Sequence, residues 1–161
     1  MTDMTAARHW LTAACLGVGL AVATATSAIA ADDIRIGEIN SYTGPLAAFT
    51  IPYRNGWELA VEEINERGGI GGRKLVVLSR DDAGKPSEAI KFAEELVRRE
   101  KVDLLAGTFL SNIGLAVADY AARSEVLFLA SEPLSDALVW SQGNAYTYRL
   151  RPSTYMQAAM L

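Results

Sequence analysis

From residue 34 onward, short apolar runs alternate with longer stretches in which apolar residues recur at helical spacing. Ile34-Arg35-Ile36-Gly37-Glu38-Ile39 alternates apolar and other residues and predicts a strand. Asn40 to Thr50 contains Gly44-Pro45 and predicts a loop. Thr50 is placed to cap a helix with Pro52 in its first turn, where a missing N–H costs little. Trp57, Ala60, Val61 and Ile64 then give that helix one apolar face. Arg67-Gly68-Gly69 supplies a left-handed cap, and Gly71-Gly72 turns into a second strand, Lys74 to Leu78. After the turn Asp81-Asp82-Ala83-Gly84, Lys85-Pro86-Ser87 opens a helix with Ala89, Ala93, Leu96 and Val97 inward.

The alternation continues to the end of the chain. Val102 to Gly107 predicts a third strand, and Ser111 or Asn112 starts a helix carrying Ala116, Val117, Tyr120 and Ala121. Val126 to Ala130 is almost continuously apolar, as suits a strand covered on both faces. Ala145 to Leu150 predicts a fifth strand, and Ser153-Thr154-Tyr155 opens a helix still running at Leu161. This pattern implies an α/β fold, a parallel sheet with helices on both faces. Right-handed crossovers then gather the loops Asn40–Thr50, Asp81–Pro86, Gly107–Asn112 and Ser131–Asp136 on one edge, where ligands of such sheets bind. The helix without a C-cap at Leu161 reads as the interrupted end of an N-terminal piece.

Residues 1–30 read as an address. Arg8 and His9 precede an uncharged run from Trp10 to Ala31 that closes with Ala28-Ile29-Ala30, the small-x-small pattern of a cleavage site. The run is long enough to anchor in a bilayer, but its Ala and Thr content and terminal site favour cleavage after Ala30. That cut removes Cys15 and His9, the only cysteine and the only histidine. The remainder has no means of forming a disulfide, a thiolate zinc site or a histidine-based catalytic group. An enzyme is therefore not expected, and neither a catalytic residue, a metal nor a cofactor is assigned. The net charge of −4, with basic residues scattered, also argues against a nucleic-acid groove.

Four local motifs carry the remaining chemistry. The run Gly68-Gly69-Ile70-Gly71-Gly72 follows a helix and opens a strand, the reverse of a phosphate loop, so it reads as a cap and a tight turn. Asp81 and Asp82 are adjacent, but neighbours at a strand end point opposite ways, and Asp before a turn serves backbone N–H groups. Ser111 sits at a helix start after the third strand, where its hydroxyl and free N–H groups suit an anion, or where it acts as an N-cap. Glu132 lies at the matching edge after the fourth strand, placed for a local salt bridge or a cationic ligand group.

Several strings together resemble one family: Tyr42-Thr43-Gly44-Pro45-Leu46, Gly56 with Ala60 and Ile64-Asn65, Gly68 to Leu75, Asp81-Asp82, then Gly107 and Ser111. They are similar to the type I periplasmic substrate-binding proteins of the branched-chain amino acid class, which feed ABC importers. The resemblance runs from Ile34 to Leu161. It implies two α/β lobes closing on a small ligand. Residues 31–152 would form most of the first lobe, and 153–161 would begin the crossover into the second, near Pro152-Ser153-Thr154. It further implies that Ser111 meets the ligand carboxylate, that Phe109 and Leu110 line the same loop, and that Phe49 covers the ligand. Glu132 falls where a backbone carbonyl accepts from the ligand ammonium. Leu134 stands where those binders carry a threonine, keeping the N–H and losing the hydroxyl. An aromatic or aliphatic carboxylate, or an amide, therefore stands beside the branched-chain amino acids as a ligand. The implied partners are a membrane permease and an ATPase, with the protein exported to the periplasm. The alternative is a ligand-sensing domain of a receptor or an amide-responsive regulator.

Overall fold

The computed structural model describes residues 32–161. The predicted signal segment, residues 1–30, lies outside the described residues. Five strands form one parallel sheet: β1 (Ile34–Asn40), β2 (Leu75–Asp81), β3 (Leu104–Gly107), β4 (Leu127–Ala130) and β5 (Thr147–Arg149). Their order is β2-β1-β3-β4-β5. The helices are α1 (Ala47–Glu66), α2 (Pro86–Arg98), α3 (Ser111–Arg123) and α4 (Thr154–Ala159). Chain order steps from β1 outward to β2, then back across β1 to β3. Same-handed crossovers in opposite directions place their helices on opposite faces. The predicted α/β class, parallel sheet and helices on both faces are all present.

Register assigns the two faces. Gly37 aligns with Leu78 and Leu105, and Leu105 aligns with Phe128, so these residues share one face. A Cβ on Gly37 would lie 3.1 Å from Leu96 of α2, which identifies this as the α2/α3 side. Ile39, Leu105, Phe128 and Ala130 pack here against Ala89, Ala93 and Leu96 of α2 and Ile113, Val117 and Ala121 of α3. Every one of them is fully buried. Small residues on α2 let the helix approach the sheet closely, and the periodic face predicted from Ala89, Ala93 and Leu96 is this contact.

The start of α1 differs from the expectation. The helix begins at Ala47, directly after a 3-10 turn over Gly44–Leu46, so Thr50 is internal and Pro52 lies inside the helix. Buried Thr50 has its hydroxyl 2.7 Å from the Ser41 carbonyl and 3.2 Å from that of Leu46. It bonds backward to backbone carbonyls, as threonine within a helix does, instead of capping N–H groups. Ala60 is exposed, and so is the neighbouring Leu59, so the predicted apolar face is only partly an interface. At the other end, the Gly69 N–H donates to the Ile64 carbonyl at 2.9 Å with φ +79°. A Cβ there would fall 1.9 Å from the Arg73 carbonyl, so the glycine run is a cap and a turn, as read.

Candidate ligand-binding site

The chain leaves β1 and β3 toward opposite faces, so a crevice opens beyond their carboxyl ends. The chain bends sharply at the end of β3. Gly107 has φ +105°, and a Cβ on it would sit 2.3 Å from the Ile39 carbonyl of β1. Thr108 follows at φ +64°, fully buried, its hydroxyl without a partner. A β-branched residue in left-handed backbone costs about 1–3 kcal/mol, and such strain concentrates at binding loops. The bend carries Phe109 across the crevice to Phe49 in the first turn of α1. Their rings stack with centroids 5.7 Å apart and planes at 25°. Phe49 remains 62% exposed, so the stacked pair presents an open aromatic wall.

Ser111 is the first residue of α3, but Leu110 is the N-cap residue, so the N-cap reading of Ser111 does not hold. The serine hydroxyl reaches across to the loop after β4. Its oxygen accepts the N–H of Leu134 at 3.2 Å and that of Ser135 at 3.1 Å. The two loops are also tied by the Ser131 N–H donating to the Gly107 carbonyl at 2.9 Å. A hydroxyl has one hydrogen and two lone pairs. With two donors on the oxygen, what Ser111 retains for any further partner is its own hydrogen. The Leu134 N–H, expected to hold a ligand, is already engaged by this serine. Leu110 is half-buried and packs against the core.

The α1 side of the crevice carries a polar layer that sequence reasoning missed. Tyr53, one turn beyond Phe49, places its hydroxyl 2.8 Å from that of Ser131. The Asn40 amide lies 3.5 Å from the Glu132 carboxylate, whose other oxygen is 4.0 Å from the Arg151 guanidinium. The Glu132 side chain is 14% exposed, and burial raises its pKa, opposed by Asn40 and Arg151. Beneath them Glu38 of β1 is 2% exposed. It accepts from the Tyr42 hydroxyl at 2.8 Å and from the Ser79 hydroxyl at 2.7 Å. Burial pushes the Glu38 carboxyl up to about 7 against the pull of these donors and of Arg54. Burial likewise pushes the Tyr53 phenol up to about 12.

Asp81 and Asp82 serve the backbone, as their position implied. Asp81 accepts the N–H groups of Tyr42 and Ala83, both at 2.9 Å. Asp82 accepts the Ser41 hydroxyl at 2.6 Å and the Gly84 N–H at 2.8 Å. Each of them ties the loop after β1 to the loop after β2. The structure thus brings Phe49, Phe109, Ser111 and the Leu134 backbone to one crevice. It adds Asn40, Tyr53 and Ser131 beside Glu132.

A profile of periplasmic binding proteins matches residues 33–161. The chain is 35% identical over 119 residues to the Leu/Ile/Val-binding protein BraC3 of Rhizobium johnstonii, covering 74% of this chain and 32% of that protein. Among solved structures it is similar to the branched-chain amino acid transporter substrate-binding protein LivJ of Streptococcus pneumoniae in complex with isoleucine. That match has a TM-score of 0.69 and 29% identity over 75% of this chain and 34% of the other. An ABC-type branched-chain amino acid transporter from Rhodopseudomonas palustris superposes with a TM-score of 0.71 at 25% identity, covering 75% and 33%. The chain therefore spans about a third of the length of these relatives. With its parallel sheet and a match over nearly all of the described residues, it belongs to the periplasmic binding protein family.

Proposed function

We propose that this chain contributes one wall of a ligand site in an exported solute-binding protein. The protein captures a branched-chain amino acid, or a related small carboxylate or amide, and delivers it to the permease and ATPase of an ABC importer. One observation supports the reading most: Ser111 accepts two backbone N–H groups, which leaves its own hydrogen to offer a further partner. A group so arranged selects a hydrogen-bond acceptor, and a carboxylate is the strongest acceptor among small solutes. The stacked Phe49–Phe109 pair supplies an apolar surface for the body of that solute. Glu132 and the β4–α4 region face its other end. A second lobe closing over this wall would exclude water and complete the contacts. Cleavage after Ala30 would release the protein into the periplasm.

A thermal-shift screen of the intact protein tests this reading. The panel comprises L-leucine, L-isoleucine, L-valine, 4-hydroxybenzoate, short aliphatic acids and their amides. A carboxylate-bearing compound should raise Tm and its esterified form should not. A hit on an esterified compound with none on its free acid would overturn the assignment.

A further inference from the structure

Four side chains of α1 reach the loops at the strand ends through polar atoms or rings: Thr50, Tyr53, Arg54 and Trp57. The last two converge on Tyr42. The Trp57 indole N–H donates to the Tyr42 hydroxyl at 3.3 Å. The Arg54 guanidinium lies 3.5 Å above the centre of the Tyr42 ring, with its Nε buried and without a hydrogen-bond partner among the described residues. The same Tyr42 hydroxyl donates to Glu38. A continuous chain therefore runs from a buried carboxylate in the middle of β1, through Tyr42, to the helix whose first turn carries Phe49.

We propose that Glu38 is a positioning residue for the ligand wall: its protonation state sets how α1 rests on Tyr42, and thereby where Phe49 stands against Phe109. The inference rests on reading that stacked pair as a ligand wall, though its test uses no ligand. The physical cause is the change in what Glu38 offers. Ionised, it accepts from Tyr42 and Ser79 and attracts the guanidinium of Arg54. Neutral, it gains a proton of its own that competes with those donors, and the attraction to Arg54 is gone. A half-buried cation over an aromatic ring responds to such a change in local charge. Burial places the Glu38 transition near pH 7, where few other carboxyls titrate. The charged and titratable groups facing it are Arg54 and Tyr53 on α1, Tyr42 after β1 and Asp82 after β2, and Tyr53 also feels Glu132 after β4. Asp82 and Glu132 are also raised by burial, so the test has to separate them.

The test places 4-fluorophenylalanine at position 49 of the intact protein and follows its fluorine resonance from pH 5 to 9. The ring-current field of Phe109 makes that resonance sensitive to small displacements. In the otherwise unchanged protein the signal should move with a midpoint near 7. Glu38→Gln, which keeps shape and neutral hydrogen bonding, should abolish the movement. Tyr42→Phe removes one donor to the carboxylate and should move the midpoint upward, which a purely structural role for Tyr42 would not do. A signal flat across the range, or one that titrates identically in Glu38→Gln, overturns the proposal. Should Glu38→Gln fail to fold, an unmoved midpoint in Tyr42→Phe overturns it equally. Failure of the solute screen with a titrating fluorine signal would instead remove the ligand reading and leave the coupling intact.

Discussion

The two faces of the sheet are built on different principles. On the α2/α3 face, Leu96, Leu105, Ile113, Val117 and Phe128 are all fully buried and apolar. On the α1 face, the most buried side chains are Glu38, Asn40 and Thr50, and the helix is held by Tyr42, Tyr53, Arg54 and Trp57. A dry interface is non-directional and gains free energy from area alone. A polar interface gains little net energy per bond and depends on geometry and ionisation. The first kind is suited to a rigid platform. The second suits the helix whose first turn forms part of the crevice, since its position answers to charge.

The largest expected effect lies on the dry side. Phe128→Ala leaves a cavity between sheet and α3 and should cost about 3–5 kcal/mol, read from denaturant unfolding. A cost below about 1 kcal/mol would mean that this face is not the stabilising one.

The next effect lies on the polar side and depends on pH. Burial holds the native carboxyl of Glu38 near 7, well above its ordinary value of 4.5. The native state thus holds this proton more tightly than the unfolded chain does. Its contribution to stability is fully present below about pH 4.5 and is lost as pH rises through about 7. At 1.36 kcal/mol per pH unit, the loss across that window is about 3 kcal/mol. Unfolding measured at pH 4.5 and pH 8 should show it in the parent protein, and Glu38→Gln should flatten the slope. Parallel slopes in the two proteins would deny Glu38 this role.

A smaller effect is expected from Tyr53→Phe. It removes the 2.8 Å contact to Ser131 and should cost about 1 kcal/mol. If the loss rivals that of Phe128→Ala, the polar face is carrying stability, and the contrast drawn between the faces fails.

The same contrast explains what was legible in the sequence. The α2 face was readable because Ala89, Ala93 and Leu96 repeat at helical spacing, and β3 and β4 were readable as apolar runs. The α1 face was not. Ile34, Ile36 and Glu38 share that face, so the carboxylate interrupts an apolar row and reads as a solvent position. Thr50, Tyr53 and Arg54 likewise look like an exposed helix side, and Thr50 looks like a cap. Their partners Ser41, Tyr42 and Ser131 come from distant strand ends and have no spacing that announces them. Ser111 was found by its place at a helix start. That its hydroxyl would clasp Leu134 and Ser135 required the parallel register of β3 and β4, which fixes how far the two loops reach.

The most direct measurement is a calorimetric titration of the intact protein and of Ser111→Ala with the solute that gives the largest shift in the thermal screen. Loss of a hydrogen bond to a charged group should weaken binding by about ten- to hundredfold. The esterified solute, whose carbonyl is a neutral acceptor, should lose less on the same substitution, about two- to tenfold. Equal affinity of the two proteins for the free carboxylate would contradict the assignment of Ser111 as the donor that selects the ligand.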